Sequence, residues 1–227
     1  MRELLVINPN TSEGITRLLR GHVQASLGAG IRVRAVTAPF GAPYISGEAS
    51  CAVAGHAVLE AWQAARVEAA APPAAVLLGC FGDPGLFALR EICGVPVGGL
   101  ADASFCEAAR LGRFAVVTGG ARWKPMLDRL AQGLGYAGAL AGVYTVAASG
   151  PELAAEPRAA HALLAQACRD AARQSGASIV VLGGAALAGM ADSLQPAFDG
   201  ILIDSVAAGA RWAAAAVQAG TKAGDAT

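Results

Sequence analysis

The chain repeats itself, and the repeat limits the folds open to it. Leu-Leu-Val-Ile-Asn at 4–8 matches Phe-Ala-Val-Val-Thr at 114–118, and each run ends in a polar residue and a Pro- or Gly-rich turn. Ile-Arg-Val-Arg-Ala-Val at 31–36 matches Ala-Gly-Val-Tyr-Thr-Val at 141–146. Leu-Gly-Cys-Phe-Gly-Asp-Pro-Gly-Leu at 78–86 then matches Leu-Gly-Gly-Ala-Ala-Leu-Ala-Gly-Met at 182–190 without a gap. A repeat of this kind predicts two similar lobes. A chain of 227 residues gives each lobe about 100 residues, enough for a small core of its own.

Short β-branched or Leu-rich runs alternate with longer Ala-rich stretches, the pattern of a parallel sheet with crossover helices. The runs predict strands at 3–7, 31–37, 75–79, 95–98, 114–118, 142–147, 178–182 and 200–203. Helices are predicted at 12–27, 49–70, 84–92, 102–111, 122–134, 157–175 and 204–219, with a frayed tail from Gly220 to Thr227. The expected fold is α/β, with two pseudo-symmetric Rossmann-like lobes of parallel strands. Residues 1–98 plus 204–227 form the first lobe, and 99–203 the second. Matched turns lie beyond the carboxyl ends of strands, where open α/β sheets bind ligands, so the site belongs in the cleft between the lobes.

Composition narrows the ligand. Seventeen Lys and Arg balance seventeen Asp and Glu, which favours neither nucleic acid nor an anionic membrane and leaves a small molecule as the expected partner. The first apolar run, Leu4 to Ile7, is too short for a signal segment or a membrane span. Five widely spaced cysteines, an odd number, argue against a disulfide framework and for a cytoplasmic protein. No G-x-G-x-x-G or Walker sequence is present. The two lysines, Lys124 and Lys222, offer little to pyridoxal chemistry, and His22, His56 and His161 sit in Ala-rich helical stretches without metal-ligand spacing. No cofactor and no metal are expected. Assembly into a homo-oligomer is compatible with the sequence.

Two kinds of turn carry candidate chemistry. Cys80 ends a buried strand beside a glycine-rich turn and a helix start, where backbone N–H groups and the helix dipole can lower a thiol pKa and hold an anion. Cys51, Cys93, Cys106 and Cys168 lack such surroundings and read as packing residues. Asn8-Pro9-Asn10-Thr11-Ser12 and its counterpart Thr118-Gly119-Gly120 bring amides and hydroxyls to the ends of the first strands. Thr11 or Ser12 also reads as a helix N-cap, and the two roles are compatible.

Val-Ile-Asn-Pro-Asn-Thr-Ser at 6–12, Gly-Cys-Phe-Gly-Asp-Pro-Gly-Leu at 79–86 and Val-Pro-Val-Gly-Gly-Leu-Ala-Asp-Ala at 95–103 resemble the hydantoin racemases of the aspartate/glutamate racemase superfamily. The resemblance covers nearly the whole chain. It implies cofactor-free racemisation by two facing cysteines, one on each side of a carbon acid. It implies that Asn8, Asn10, Thr11, Phe81, Gly82, Thr118, Gly119, Ala185 and Ala186 surround the substrate, a hydantoin, an amino acid or a related acid. The N–H groups of Phe81, Gly82 and Ala185 would hold the enolate oxygen. Cys80 is one of the two catalytic positions. The gapless match puts Gly184 at the other, and glycine has no proton to exchange. Replacing Gly184 with cysteine is expected to restore the pair unless that glycine holds a positive φ. A single-cysteine decarboxylase or isomerase of the same superfamily, and a catalytically silent small-acid binder, are the other readings.

Overall fold

A computed structural model describes the backbone of residues 2–224. Strand β1 (Arg2–Asn8), helix α1 (Glu13–Ser26), β2 (Ile31–Thr37), α2 (Glu48–Glu68), β3 (Ala75–Leu78), α3 (Leu86–Cys93) and β4 (Val97–Gly99) build a parallel four-stranded sheet of order β2-β1-β3-β4. Helix α4 (Leu100–Leu111) leads to the second half. There follow β5 (Phe114–Gly119), α5 (Trp123–Gly133), β6 (Leu140–Val146), α6 (Gly150–Ala155), α7 (Pro157–Ser175), β7 (Ile179–Gly183), α8 (Met190–Leu194) and β8 (Ile201–Asp204). The second sheet has order β6-β5-β7-β8, the same order shifted by four strands. Helix α9 (Ser205–Gly224) runs on into the stretch expected to fray, and residues 225–227 lie outside the described residues.

Every strand is found close to its expected position. The reason is burial on both faces, which writes a central parallel strand as a continuous apolar run. Leu4 and Val6 face the cluster shared with Phe105, Phe114, Val116 and Val181, whereas Leu5 and Ile7 face Trp62, Val76 and Leu78 on the other side. Successive side chains of a strand point to opposite faces, so four apolar residues in a row serve two cores. Burying each such aliphatic chain contributes about 1.5–3 kcal/mol. The shared cluster reaches from one sheet to the other, and α4 and α9 pack on each other between them.

The ladders confirm the repeat in its central strands. Ile7 lies opposite Leu78 as Val117 lies opposite Leu182, matching the gapless sequence match. The second strands differ. Thr145 faces Thr118 where Thr37 faces Asn8, so β6 is two residues out of step with the sequence match, and the register shifts between Phe114 and Ala115. A slip of two keeps every side chain on its face, so apolar pattern alone does not reveal it. Helices α6 and α8 were not expected; at six and five residues they are too short to show a period.

Candidate active site

Six connections converge at the carboxyl ends of the strands around a cavity of about 60 Å³. One water needs roughly 10–15 Å³ of such space, so the cavity holds on the order of five water-sized groups. The turn after β1 contributes Asn10, the turn after β3 Gly79, Cys80 and Phe81, the end of β5 Thr118 and Gly119, and the turn after β7 Gly183 to Leu187. Tyr44, from the connection after β2, Gly150, after β6, and Trp123, at the start of α5, complete the lining.

The β1 turn is organised by its own amides. Asn8 is fully buried and its Nδ2 donates to Asn10 Oδ1 (2.9 Å), Ser12 O (3.0 Å) and Thr16 Oγ1 (3.0 Å). Asn8 therefore shapes the turn and does not line the cavity. Asn10 Oδ1 also accepts the Ser12 N–H at 2.9 Å, which leaves the Asn10 NH₂ without a partner among the described residues, at the cavity wall. Ser12 is the N-cap of α1, accepting from Ile15 N. Thr11 N donates to Ala42 O and does not line the cavity. Thr118 Oγ1 donates to Gly183 O at 2.8 Å, tying the end of β5 to the β7 turn.

The β3 turn folds tightly on Cys80, whose carbonyl accepts the N–H groups of Gly82 and Asp83 at 3.0 and 3.1 Å. The Gly82 N–H is thus occupied, and Gly82 lies under the Trp123 ring outside this cavity, where it cannot serve an enolate. The N–H groups of Phe81 and Ala185 donate to no protein acceptor among the described residues. Phe81 presses its ring on Gly183, where any Cβ would come within 2.1 Å of it, and stacks edge-on to Phe105 at 5.9 Å. Asp83, buried and at φ 45°, is held by the N–H groups of Ala101 (3.1 Å) and Asp102 (2.7 Å) at the start of α4. Burial pushes its carboxyl up to about 7 against the pull of those two bonds.

Cys80 is 8% exposed, and burial drives its thiol well above the usual range, with Cys51 and Asp83 adding to the rise. This corrects the expectation of a lowered pKa. Helix α3 starts only at Leu86, and the turn surrounds the sulfur with apolar walls and acidic neighbours. Cys51, read as packing alone, lies near enough to Cys80 to add to that rise. Cys168 is buried in the second-lobe core among Leu164 and Ala171 and does not line the cavity.

Gly184 lines the cavity with Cys80, at φ 140°. Its N–H donates to Ser205 Oγ (3.2 Å), while Asp204 accepts from Gly189 N (2.7 Å), Val206 N (2.8 Å) and Ala207 N (3.0 Å). A Cβ on Gly184 would meet Leu187 at 3.5 Å, an ordinary contact, so space is available and the backbone is the obstacle. The sequence missed Tyr44, Trp123 and Gly150. The carboxyl-end rule that selected the other turns applies equally to those after β2 and β6, and was the signal available for Tyr44 and Gly150.

Residues 4–213 match the Asp/Glu/hydantoin racemase family. The hydantoin racemase of Paenarthrobacter aurescens is 31% identical over 218 residues, 96% of this chain and 92% of that protein. The crystal structure of allantoin racemase from Pseudomonas fluorescens superposes with a TM-score of 0.90 at 26% identity, covering 96% of this chain and 92% of that one. A glycine-to-cysteine mutant of arylmalonate decarboxylase shares the fold, with a TM-score of 0.65 at 18% identity over 96% of this chain and 94% of that one. With its two matched sheets and a cavity between their turns, the chain belongs to the Asp/Glu/hydantoin racemase family.

Proposed function

We propose that this protein racemises a hydantoin or a related amino-acid derivative by moving the proton on a carbon next to a carbonyl, with Cys80 as its working thiol and no cofactor. The observation that carries the reading is the placement of Cys80, the one cysteine among the described residues lining the cavity, beside the N–H groups of Phe81 and Ala185, which have no acceptor among those residues. Cys80 thiolate takes the proton, the C–H electron pair moves onto the carbonyl oxygen, and those two N–H groups receive the developing charge. Asn10 offers its NH₂ to a second polar group of the substrate. In this reading Gly184 stands where the family's second cysteine belongs, so a thiol serves one face only.

Because burial holds the Cys80 proton tightly, the base form must be generated at alkaline pH, and kcat/KM should climb through pH 9 without a plateau below it. The same observation favours a second reading. A thiol kept protonated suits a decarboxylase that delivers one proton to an enediolate after carbon dioxide leaves. Incubation in D₂O with chiral hydantoins, amino acids and arylmalonates separates them. Exchange of the α-proton of a hydantoin or amino acid supports the racemase. Label confined to the product of a malonate replaces it with the decarboxylase. Thermal stabilisation by these acids with no label anywhere replaces both with a binding protein.

A further inference from the structure

We propose that Tyr44 is the proton donor for the face of the substrate opposite Cys80, which makes this a thiol–phenol pair in place of two thiols; the assignment rests on the racemase reading above. Three observations lead to it. Of the described residues lining the cavity, none is a carboxylate, histidine or lysine, and Thr118 spends its proton on Gly183 O, so Cys80 and Tyr44 are left to exchange protons with a substrate. The Tyr44 oxygen accepts the Gly150 N–H at 3.4 Å, while its own proton has no acceptor among the described residues. With the Gly150 N–H on one side of the phenolic oxygen, the O–H is free to point at a substrate.

The third observation is where the ring sits. Tyr44 belongs to the connection between β2 and α2 of the first sheet, yet it lies against second-lobe backbone. Its Cε2 is 3.5 Å from the point a Gly150 Cβ would occupy, a point that is 3.6 Å from Ala186 Cβ. Its hydroxyl is 3.3 Å from the corresponding point on Gly120. The phenol is thereby held against Gly120 and Gly150, with Ala186 close by, while Cys80 rises from the turn after β3 of the first sheet. Glycine at 120, where a Cβ would crowd the hydroxyl, keeps that place open.

The step balances without a further reagent. Cys80 thiolate forms an S–H bond as the α C–H bond breaks, and the electron pair passes to the carbonyl oxygen. The enolate pair then returns to carbon as the Tyr44 O–H bond breaks, leaving inverted product, a thiol and a phenolate. The phenolate and thiol carry out the reverse sequence on the other enantiomer, or return to the starting forms by proton exchange with water.

The test is Tyr44→Phe, which keeps the ring and removes only the hydroxyl. Each enantiomer of a 5-substituted hydantoin is followed in D₂O at pH 9 by chiral separation and NMR, with thermal melting as the check on folding. The proposal expects racemisation to fall about 100-fold or more, the usual weight of one acid–base group. It also expects the enantiomer whose proton faces Cys80 to keep exchanging deuterium with retention, within about tenfold of wild type. A merely structural tyrosine would lower exchange and racemisation together, and that result overturns the proposal. So does racemisation by Tyr44→Phe at the wild-type rate, which leaves the racemase reading standing. A wild-type protein that exchanges no hydantoin overturns that reading and this assignment with it.

Discussion

The turns after β3 and β7 share one frame and brace it in opposite ways. Both end in a left-handed glycine that caps the next helix, Gly85 at φ 80° and Gly189 at φ 80°. In the first lobe the carboxylate comes from the turn: Asp83 reaches the helix that follows the neighbouring strand, through space that exists because Gly99 has no side chain. In the second lobe the same two positions exchange roles. Leu187 takes the place of Asp83, and Asp204, opposite Leu182 as Gly99 is opposite Leu78, supplies the carboxylate and reaches back to the turn. The exchange has a chemical consequence. Where the turn carries its own brace, positive φ falls on Gly82, Asp83 and Gly85, and the cavity position is free to bear a thiol. Where the brace comes from outside, positive φ falls on Gly184 itself.

The largest effect on this comparison is expected from Gly99→Ala. Its Cβ would lie 2.1 Å from the Asp83 Cγ, so the carboxyl must leave the Ala101 and Asp102 N–H groups. Overpacking and orphaned buried donors together should cost about 3–5 kcal/mol in urea unfolding. Adding Asp83→Ala removes the clash, so the double variant should be clearly more stable than the sum of the single losses predicts. Simple additivity would break the account of the exchanged carboxylate.

Gly184→Cys follows in size. The site has room for a Cβ but φ of 140° strains any L side chain, for about 1–3 kcal/mol, and a thiol placed there should not raise racemisation unless the turn rearranges. Unchanged stability together with a gain in racemisation would show the two turns to be interchangeable.

A further effect concerns pH. The Asp83 carboxyl, pushed up by burial from 3.8 to about 7, makes the folded protein hold a proton that the unfolded chain releases. Its contribution to stability is present below about pH 4 and is lost as pH rises through 7. The urea midpoint should therefore drop between pH 5 and 8 in the wild type, and Asp83→Asn should flatten that drop. An equal drop in both proteins would assign it elsewhere.

Much of the frame was legible because buried parallel strands announce themselves as apolar runs, and the repeat ordered them. The cavity was legible where the repeat pointed: Asn10, Cys80, Phe81, Thr118, Gly119, Gly184, Ala185 and Ala186 all line it. What stayed hidden depends on tertiary packing. Asn8 looked like a ligand contact and is consumed by its own turn. The upward shift of Cys80 comes from surroundings that no local motif shows. Tyr44 lies outside every repeated segment, and Gly99 acquires its meaning only when Asp83 is placed beside it.

The central claim, that the Cys80 thiol performs the proton transfer on its face of the substrate, is tested most directly by α-deuterium uptake into the hydantoin enantiomer whose proton faces that thiol, with Cys80→Ser and Cys168→Ala compared against wild type. Removing a working base should lower uptake by at least about a hundredfold in Cys80→Ser with folding intact, while Cys168→Ala, a core substitution away from the cavity, should keep wild-type uptake within a few-fold. Uptake by Cys80→Ser at the wild-type rate would contradict the account.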